Sequence, residues 1–201
     1  MTNYGISHSE ALDSVWYVVD AVNRTKGFDI SYPESADEQQ KIASGFARIS
    51  SVHFSNCGGS IDGILIWILK PTLEDAKRAD VSIVYGGSSS DLLAFEKSGL
   101  KQRLDRGLLA ETKLVLFGDN AYLNSLYMAT PFPNTSGGAR DNYNFFHSQV
   151  RITIECAFGK LVQRWGILRM AMPRGITIQR TIAMVPTRLW DKLIGLAKVG
   201  Q

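Results

Sequence analysis

The spacing of apolar residues predicts two helices near the start of the chain. Between residues 10 and 24, apolar residues recur every three or four positions, which is typical of an amphipathic helix. A glycine and a proline follow and end this pattern. Residues 36–50 repeat it, with Ile42, Phe46 and Ile49 on one side. We expect these segments to form a short N-terminal helical lead-in.

Short apolar segments then alternate with helical ones. Strands are predicted at "IDGILIWIL" (61–69), "VSIVY" (81–85) and "KLVLFGD" (113–119), and loops at "FSNCGGS" (54–60) and "NTSGGARDN" (134–142). Helices are predicted at 71–80 and 92–104, and a long amphipathic helix carries apolar residues from Phe145 to Trp165. This alternation predicts an α/β fold with a sheet covered by helices, in which ligands gather beyond the strand ends.

Composition restricts the class of protein. A chain of 201 residues with 45% hydrophobic content can bury one sizeable core. Cys57 and Cys156 are the only cysteines and lack C-x-x-C spacing, and the three histidines are scattered, which argues against a disulfide framework or a zinc site. No apolar run reaches membrane-spanning length and no signal-peptide pattern opens the chain, so we expect a soluble intracellular protein that does not bind membranes.

Charge is distributed unevenly along the chain. Residues 140–201 carry ten Lys and Arg against three acids, whereas residues 1–139 carry twelve against sixteen. A basic segment of this kind fits a surface that binds a polyanion such as DNA. It equally fits a solvated helical face that acids balance elsewhere, and charge alone does not choose between the two.

Three acids occur in unusual contexts. Asp62 is the second residue of an otherwise apolar predicted strand, Asp119 ends another, and Glu155 lies in the long helix. Taken singly, they read as a solvent-facing aspartate, a turn aspartate and a glutamate that pairs with Arg151 four residues earlier. If the two strands are neighbours and the helix packs across them, the three carboxylates converge. Such a set, without His or Cys, favours Mg²⁺ or Mn²⁺.

Several motifs in one order resemble a known family. They are "GGSIDG", "YGGSSSDLLAFEKSGL", "GDNAYL", "TPF" and "HSQVRITIECAFGKLVQRWGIL". This series resembles the transposase-derived nucleases of the Harbinger type, within the DDE superfamily of RNase H-like enzymes, over roughly residues 56–170. The resemblance implies an RNase H-like mixed sheet flanked by helices, with a helical lead-in at 1–55 and a basic C-terminal tail at 171–201.

The resemblance also implies a site. Asp62, Asp119 and Glu155 match the catalytic acids, with 35 residues between the last two, and they would hold Mg²⁺ or Mn²⁺ for two-metal hydrolysis of DNA phosphodiester bonds. Asp91 matches a further acid around the metals, although it also suits a helix N-cap. Arg151 matches an arginine that orients the glutamate or meets a phosphate. The candidate contacts to nucleic acid are Arg151, Lys160, Arg164 and Arg169, while Phe158, Gly159 and Trp165 are interpreted as packing residues.

The chain also departs from the family. Only about ten polar residues, "KPTLEDAKRA", separate two predicted strands where the family has a longer segment, and a helix-turn-helix-like region before the nuclease domain is not recognisable. We therefore expect a truncated and internally deleted relative. It is either a metal-dependent nuclease, or a catalytically inactive DNA-binding or interaction protein, or a decaying element copy. The family implies DNA and a Myb-like DNA-binding protein as partners, and the nucleus as the compartment; the oligomeric state cannot be read from the sequence.

Overall fold

We describe the fold from a computed structural model of the chain. The structure describes residue 5 and residues 7–25, 32–63, 91–164 and 166–169. In chain order the elements are α1 (His8–Arg24), α2 (Ala36–Ala47), β1 (Cys57–Ser60), α3 (Asp91–Glu96), α4 (Gly99–Asp105), β2 (Val115–Phe117), β3 (Met128–Ala129), α5 (Ala139–Arg164) and a 3₁₀ helix (Gly166–Arg169).

Some predicted elements lie outside the described residues. These are residues 64–69 of the strand predicted at 61–69, the helix at 71–80, the strand at 81–85, the loop up to Ser90, Trp165 and the tail at 171–201. Among the helices in the described ranges, none combines the length and the apolar character needed to cross a lipid bilayer.

A small parallel sheet forms the centre of the fold. β2 lies in the middle, with β1 on one side and β3 on the other. The register pairs Ser60 with Phe117 across β1 and β2, and Phe117 with Ala129 across β2 and β3. Parallel strands have both faces covered in folded proteins. The mixture of helices with a parallel sheet confirms the predicted α/β class.

Alternation along β2 explains how both faces become buried. Leu114 and Leu116 join one apolar cluster, which includes Phe95, Leu100 and Leu104 of α3 and α4. Phe117, which neighbours Leu116, belongs instead to a second cluster with the remaining members Phe46, Cys57 and Val150. Successive side chains of a strand point to opposite faces, so a short apolar strand supplies both cores. In the second cluster, Phe46 comes from α2 and Val150 from α5, so these two helices cover that face of the sheet.

The prediction of a loop through residue 60 is wrong, because β1 occupies Cys57–Ser60. The backbone is closely packed there: a Cβ at Gly58 would lie 3.0 Å from Leu114 Cβ and 3.0 Å from the Tyr32 hydroxyl. That hydroxyl donates a 2.9 Å hydrogen bond to the Gly58 carbonyl. Glycine in a strand marks such a close approach. Asp62 consequently follows β1 instead of lying within a strand.

Two helix boundaries also differ from the predictions. The helix predicted at 92–104 is divided into α3 and α4, because Ser98 caps α4 by accepting a 3.1 Å hydrogen bond from the Lys101 amide. The long helix begins at Ala139, inside the stretch predicted as a loop. Phe158 is buried, as expected for a packing residue. Gly159 is exposed, and among the described residues nothing outside its own helix lies within 4 Å of its Cβ position, so its interpretation as a packing residue stays a prediction.

Candidate metal centre

The sheet register brings two aspartates to the same edge. Ser60 and Phe117 are paired partners at the carboxyl ends of β1 and β2, and Asp62 and Asp119 each follow two residues later. The ladder continues one step further, since the Ile61 amide donates a 2.9 Å hydrogen bond to the Phe117 carbonyl. The carboxyl ends of parallel strands are where α/β folds place their ligands. Two acids far apart in sequence are therefore neighbours.

α3 supplies a third carboxylate to this edge. Asp91 is the first residue of α3, and Phe95 one turn later anchors the helix in the core beside β2. One carboxylate oxygen each from Asp62, Asp91 and Asp119 lies within 4.8 Å of the others. All three side chains are partly buried. In the described part of the chain, this is the group of acids close enough to share a metal ion.

Backbone amides and one arginine orient these carboxylates. The Gly63 amide donates a 2.9 Å hydrogen bond to Asp62 Oδ1, and the Ala121 amide donates one of 2.9 Å to Asp119 Oδ1. Arg151 Nη2, on α5, lies 3.0 Å from Asp62 Oδ2. Asp119 keeps its second oxygen for another ligand, and the oxygens of Asp62 keep further lone pairs.

The electrostatics of the site disfavour three bare carboxylates. Burial raises the pKa of Asp62, and the charges of Asp119 and Asp91 raise it further, although Arg151 and the Gly63 amide lower it in part. Burial and the charge of Asp119 raise the pKa of Asp91. Like charges held together in a partly desolvated place cost free energy. A cation between them relieves that cost.

The donor set suits a hard divalent cation. Every side-chain donor in the group is a carboxylate oxygen, and the group contains neither histidine nor cysteine. Mg²⁺ and Mn²⁺ prefer such oxygens and retain water ligands, whereas zinc sites in proteins commonly include nitrogen or sulfur. The residues present therefore fit a divalent cation of the Mg²⁺ type.

Glu155 lies beside this group but is not one of the three acids that meet. Its side chain is 55% exposed, and Oε1 lies 3.6 Å from Arg151 Nη2. The same Nη2 contacts Asp62, so the carboxylates of Asp62 and Glu155 are separated by no more than two ion-pair distances. Arg151 is itself largely buried, and its Nε has no hydrogen-bond partner among the described residues.

The candidate contacts to nucleic acid occupy different environments. Lys160 and Arg164 are exposed one turn apart near the end of α5, and Arg169 is exposed in the 3₁₀ helix, where its Nε donates a 3.3 Å hydrogen bond to the Val162 carbonyl. Arg151 is instead paired within the chain. Lys160 and Arg164 thus present their charges to solvent, while Arg151 has a role in the acid cluster itself.

Two residues of the site were missed by sequence reasoning. Gly63 sits so close to Asp91 that a Cβ would lie 2.5 Å from Asp91 Oδ1. Tyr122 packs its ring against Gly118, where a Cβ would lie 2.8 Å from Tyr122 Cδ2. Gly63 occurs in the motif "GGSIDG" and Tyr122 in "GDNAYL", so the available signal was their position one residue after Asp62 and three residues after Asp119.

Comparison with known proteins assigns the family. The family model described as DDE superfamily endonuclease matches residues 70–189, more than half of the 201-residue chain. The chain belongs to the DDE superfamily endonucleases. Neither a curated protein nor a solved structure matches it significantly.

Membership gives the acid cluster its context. DDE superfamily endonuclease domains use divalent metals, and this DDE endonuclease has a group of acids that fits one. Asp91, Asp119 and Glu155 fall within the matched residues, whereas Asp62 precedes residue 70. Asp62 is connected to the matched part by the sheet, through the pairing of β1 with β2.

Proposed function

We propose that this protein is a metal-dependent DNA endonuclease, derived from a transposase, that hydrolyses phosphodiester bonds by a two-metal DDE mechanism. The observation that carries the proposal is the meeting of Asp62, Asp91 and Asp119 within 4.8 Å at the carboxyl edge of the sheet. DNA is the substrate that an endonuclease of this superfamily implies.

The proposed roles combine the geometry of the three aspartates with the family resemblance, which supplies the role of Glu155. Asp62, Asp91 and Asp119 hold the cations, which are Mg²⁺ or Mn²⁺, and Glu155 completes the catalytic set with Asp62 and Asp119. When bound, the ions would activate a water nucleophile and neutralise charge on the leaving oxygen. Arg151 holds Asp62 and Glu155 near each other in the absence of that positive charge. Glu155 is exposed, so it can turn toward the cluster or toward a phosphate.

Finer features of the ancestry are also proposals. The order of the motifs supports the Harbinger type, and the parallel pairing of β1 with β2 is compatible with an RNase H-like sheet over residues 56–170. The short segment after Lys70 supports an internal deletion. A Myb-like DNA-binding partner and a nuclear location follow from this ancestry alone.

The basic side chains that follow Arg151 along α5 and just beyond its end are proposed to contact DNA. Lys160 and Arg164 are exposed, and Arg169 is exposed just beyond them. Phosphate contacts by such residues supply affinity without reading base sequence. Arg151, which is paired with Asp62, would meet a phosphate only beside the cleavage site.

The test is nicking of supercoiled plasmid DNA by the purified chain in Mg²⁺ or Mn²⁺, with EDTA as the metal-free reference. Asp119→Asn removes one ligand charge and should lower the rate by at least about 100-fold. Asp20→Asn, an exposed change on α1, is the matched control and should leave the rate unchanged.

The outcomes separate the hypotheses. Equal nicking by Asp119→Asn and wild type would mean that the cleavage does not use this site. A folded wild type that binds Mn²⁺ and DNA but never nicks would identify a catalytically inactive descendant.

A further inference from the structure

Tyr122 carries a buried hydroxyl that the described part of the chain leaves unsatisfied. The residue is 4% exposed, and its hydroxyl oxygen has no hydrogen-bond partner among the described residues. Buried hydroxyl groups in native proteins are almost always hydrogen-bonded, because an unpaired one has lost its water without compensation. Such an exception calls for a missing partner, and an unseen water or ion is a common one.

The tyrosine ring is fixed between the elements that carry the acids. The Tyr122 amide donates a 3.3 Å hydrogen bond to the Asp119 carbonyl, which closes the turn after β2. The ring packs on Gly118 and meets Phe95 of α3 edge to face, with 5.7 Å between ring centroids. Tyr122 therefore touches both the turn that carries Asp119 and the helix that begins with Asp91.

The hydroxyl also lies within the electrostatic reach of the whole cluster. After burial, the charges of Asp91, Asp62 and Asp119 are the main influences that raise its pKa. A phenol in its ordinary neutral form donates one hydrogen bond. Yet it makes no direct hydrogen bond to any of the three carboxylates. Polar groups that attract each other without direct contact are often bridged by water.

We propose that Tyr122 is a positioning residue whose hydroxyl donates a hydrogen bond to a water ligand of the cation held by Asp62, Asp91 and Asp119. The inference rests on the proposed metal site and adds a residue to it. Groups that hydrogen-bond the ligands of a metal typically change metal affinity 10- to 100-fold when they are removed. The buried hydroxyl is then left unpaired only in the metal-free protein.

The test measures Mn²⁺ binding by calorimetry and thermal unfolding with and without Mn²⁺. Tyr122→Phe deletes only the hydroxyl, so the metal-free protein should melt at the wild-type temperature or above it. Its Mn²⁺ affinity should fall by about tenfold or more, and Mn²⁺ should raise its melting temperature less than that of the wild type.

Tyr127→Phe is the matched control, because the Tyr127 hydroxyl already donates a 2.9 Å hydrogen bond to Asp105. It should show the opposite pattern: unchanged Mn²⁺ affinity and an equal or lower melting temperature. Wild-type Mn²⁺ affinity in Tyr122→Phe would overturn the inference and leave the metal site intact. Absence of Mn²⁺ binding by the wild type would overturn the metal site, and this role of Tyr122 with it.

Discussion

Asp62, Asp91 and Asp119 repel one another in the metal-free protein, and Arg151 provides the nearest compensation. Arg151 and Asp62 are both largely withdrawn from water, with side-chain exposures of 15% and 16%. Removing one partner from a partly buried ion pair leaves the other charge desolvated and alone. Arg151 therefore stabilises the fold chiefly when no metal is bound.

Arg151→Gln should lower the free energy of unfolding in EDTA by about 1–3 kcal/mol, because Asp62 then faces two carboxylates without a counter-charge. Urea unfolding measures this change. Asp62→Asn in the same chain should recover most of the loss, and Arg164→Gln, an exposed change on the same helix, should have little effect. A loss that Asp62→Asn does not reduce would show that Arg151 stabilises the protein in another way.

Gly63 controls the space beside Asp91. A Cβ at Gly63 would lie 2.5 Å from Asp91 Oδ1, and the end of a side chain moves more easily than backbone. Gly63→Ala should therefore displace the Asp91 carboxylate, weaken Mn²⁺ binding by about tenfold and leave the melting temperature nearly unchanged. Gly159→Ala, in open space on α5, is the control. Wild-type Mn²⁺ affinity in Gly63→Ala would remove Asp91 from the ligand set.

The ends of the paired strands position the site, and the sequence revealed only part of this arrangement. β2 could be predicted because its apolar residues are consecutive, and Asp119 follows two residues after its end. β1 could not, since "CGGS" contains one apolar side chain and is buried through the close approach of Gly58 to Leu114. Periodicity detects apolar side chains and does not detect backbone contacts.

The composition of the acid group was equally difficult to predict. Family resemblance pointed to Asp62, Asp119 and Glu155, and named Asp91 as an additional ligand. The geometry groups Asp91 with the two strand-end acids and leaves Glu155 exposed beside Arg151. Which acids meet depends on the packing of α3 and α5 against the sheet. Spacing along the chain does not contain that information.

His147 connects α5 to the sheet and gives the fold a pH dependence. Its ring stacks on Phe117 at 4.7 Å between centroids, and Nε2 lies 3.1 Å from the Ala129 carbonyl oxygen. Burial lowers the pKa of His147, and the charge of Arg151 also lowers it, against the hydrogen bond to Ala129. The neutral ring is therefore the form that the fold accepts.

A histidine whose pKa is lower in the folded state stabilises the fold fully above its unfolded pKa of about 6.5. That stability is lost as the pH falls through the folded pKa. Between pH 7.5 and 5.5 the unfolding free energy in EDTA should therefore fall on account of this residue. His147→Gln should remove that part of the dependence, whereas the exposed His53→Gln should retain it. An unchanged pH profile in His147→Gln would contradict the assignment.

Across the whole chain, the positive charge is concentrated after residue 139, and the acids of the site occupy the edge of the sheet. A nuclease needs both features: a site that attracts cations and a surface that attracts phosphates. α5 connects the two, since it carries Arg151 beside the acids and Lys160 and Arg164 toward its end.

Replacing both Lys160 and Arg164 by Glu should weaken DNA binding to all sequences alike. The slope of log affinity against log salt concentration should become shallower by the amount expected for the loss of about two phosphate contacts. Mn²⁺ affinity should not change. Lys41→Glu on α2 combined with Arg48→Glu at its C-cap alters net charge equally and is the control. Fluorescence anisotropy over a range of salt concentrations measures the effect. Equal losses in both variants would assign it to net charge instead of to this surface of α5.

The most direct test of the account is the position of a bound cation. Anomalous diffraction from a crystal soaked in MnCl₂ should show a manganese peak with carboxylate oxygens of Asp62, Asp91 and Asp119 within about 2.5 Å. A peak held by other residues, or no peak at these acids in crystals that contain Mn²⁺ in excess, would contradict the proposed metal centre.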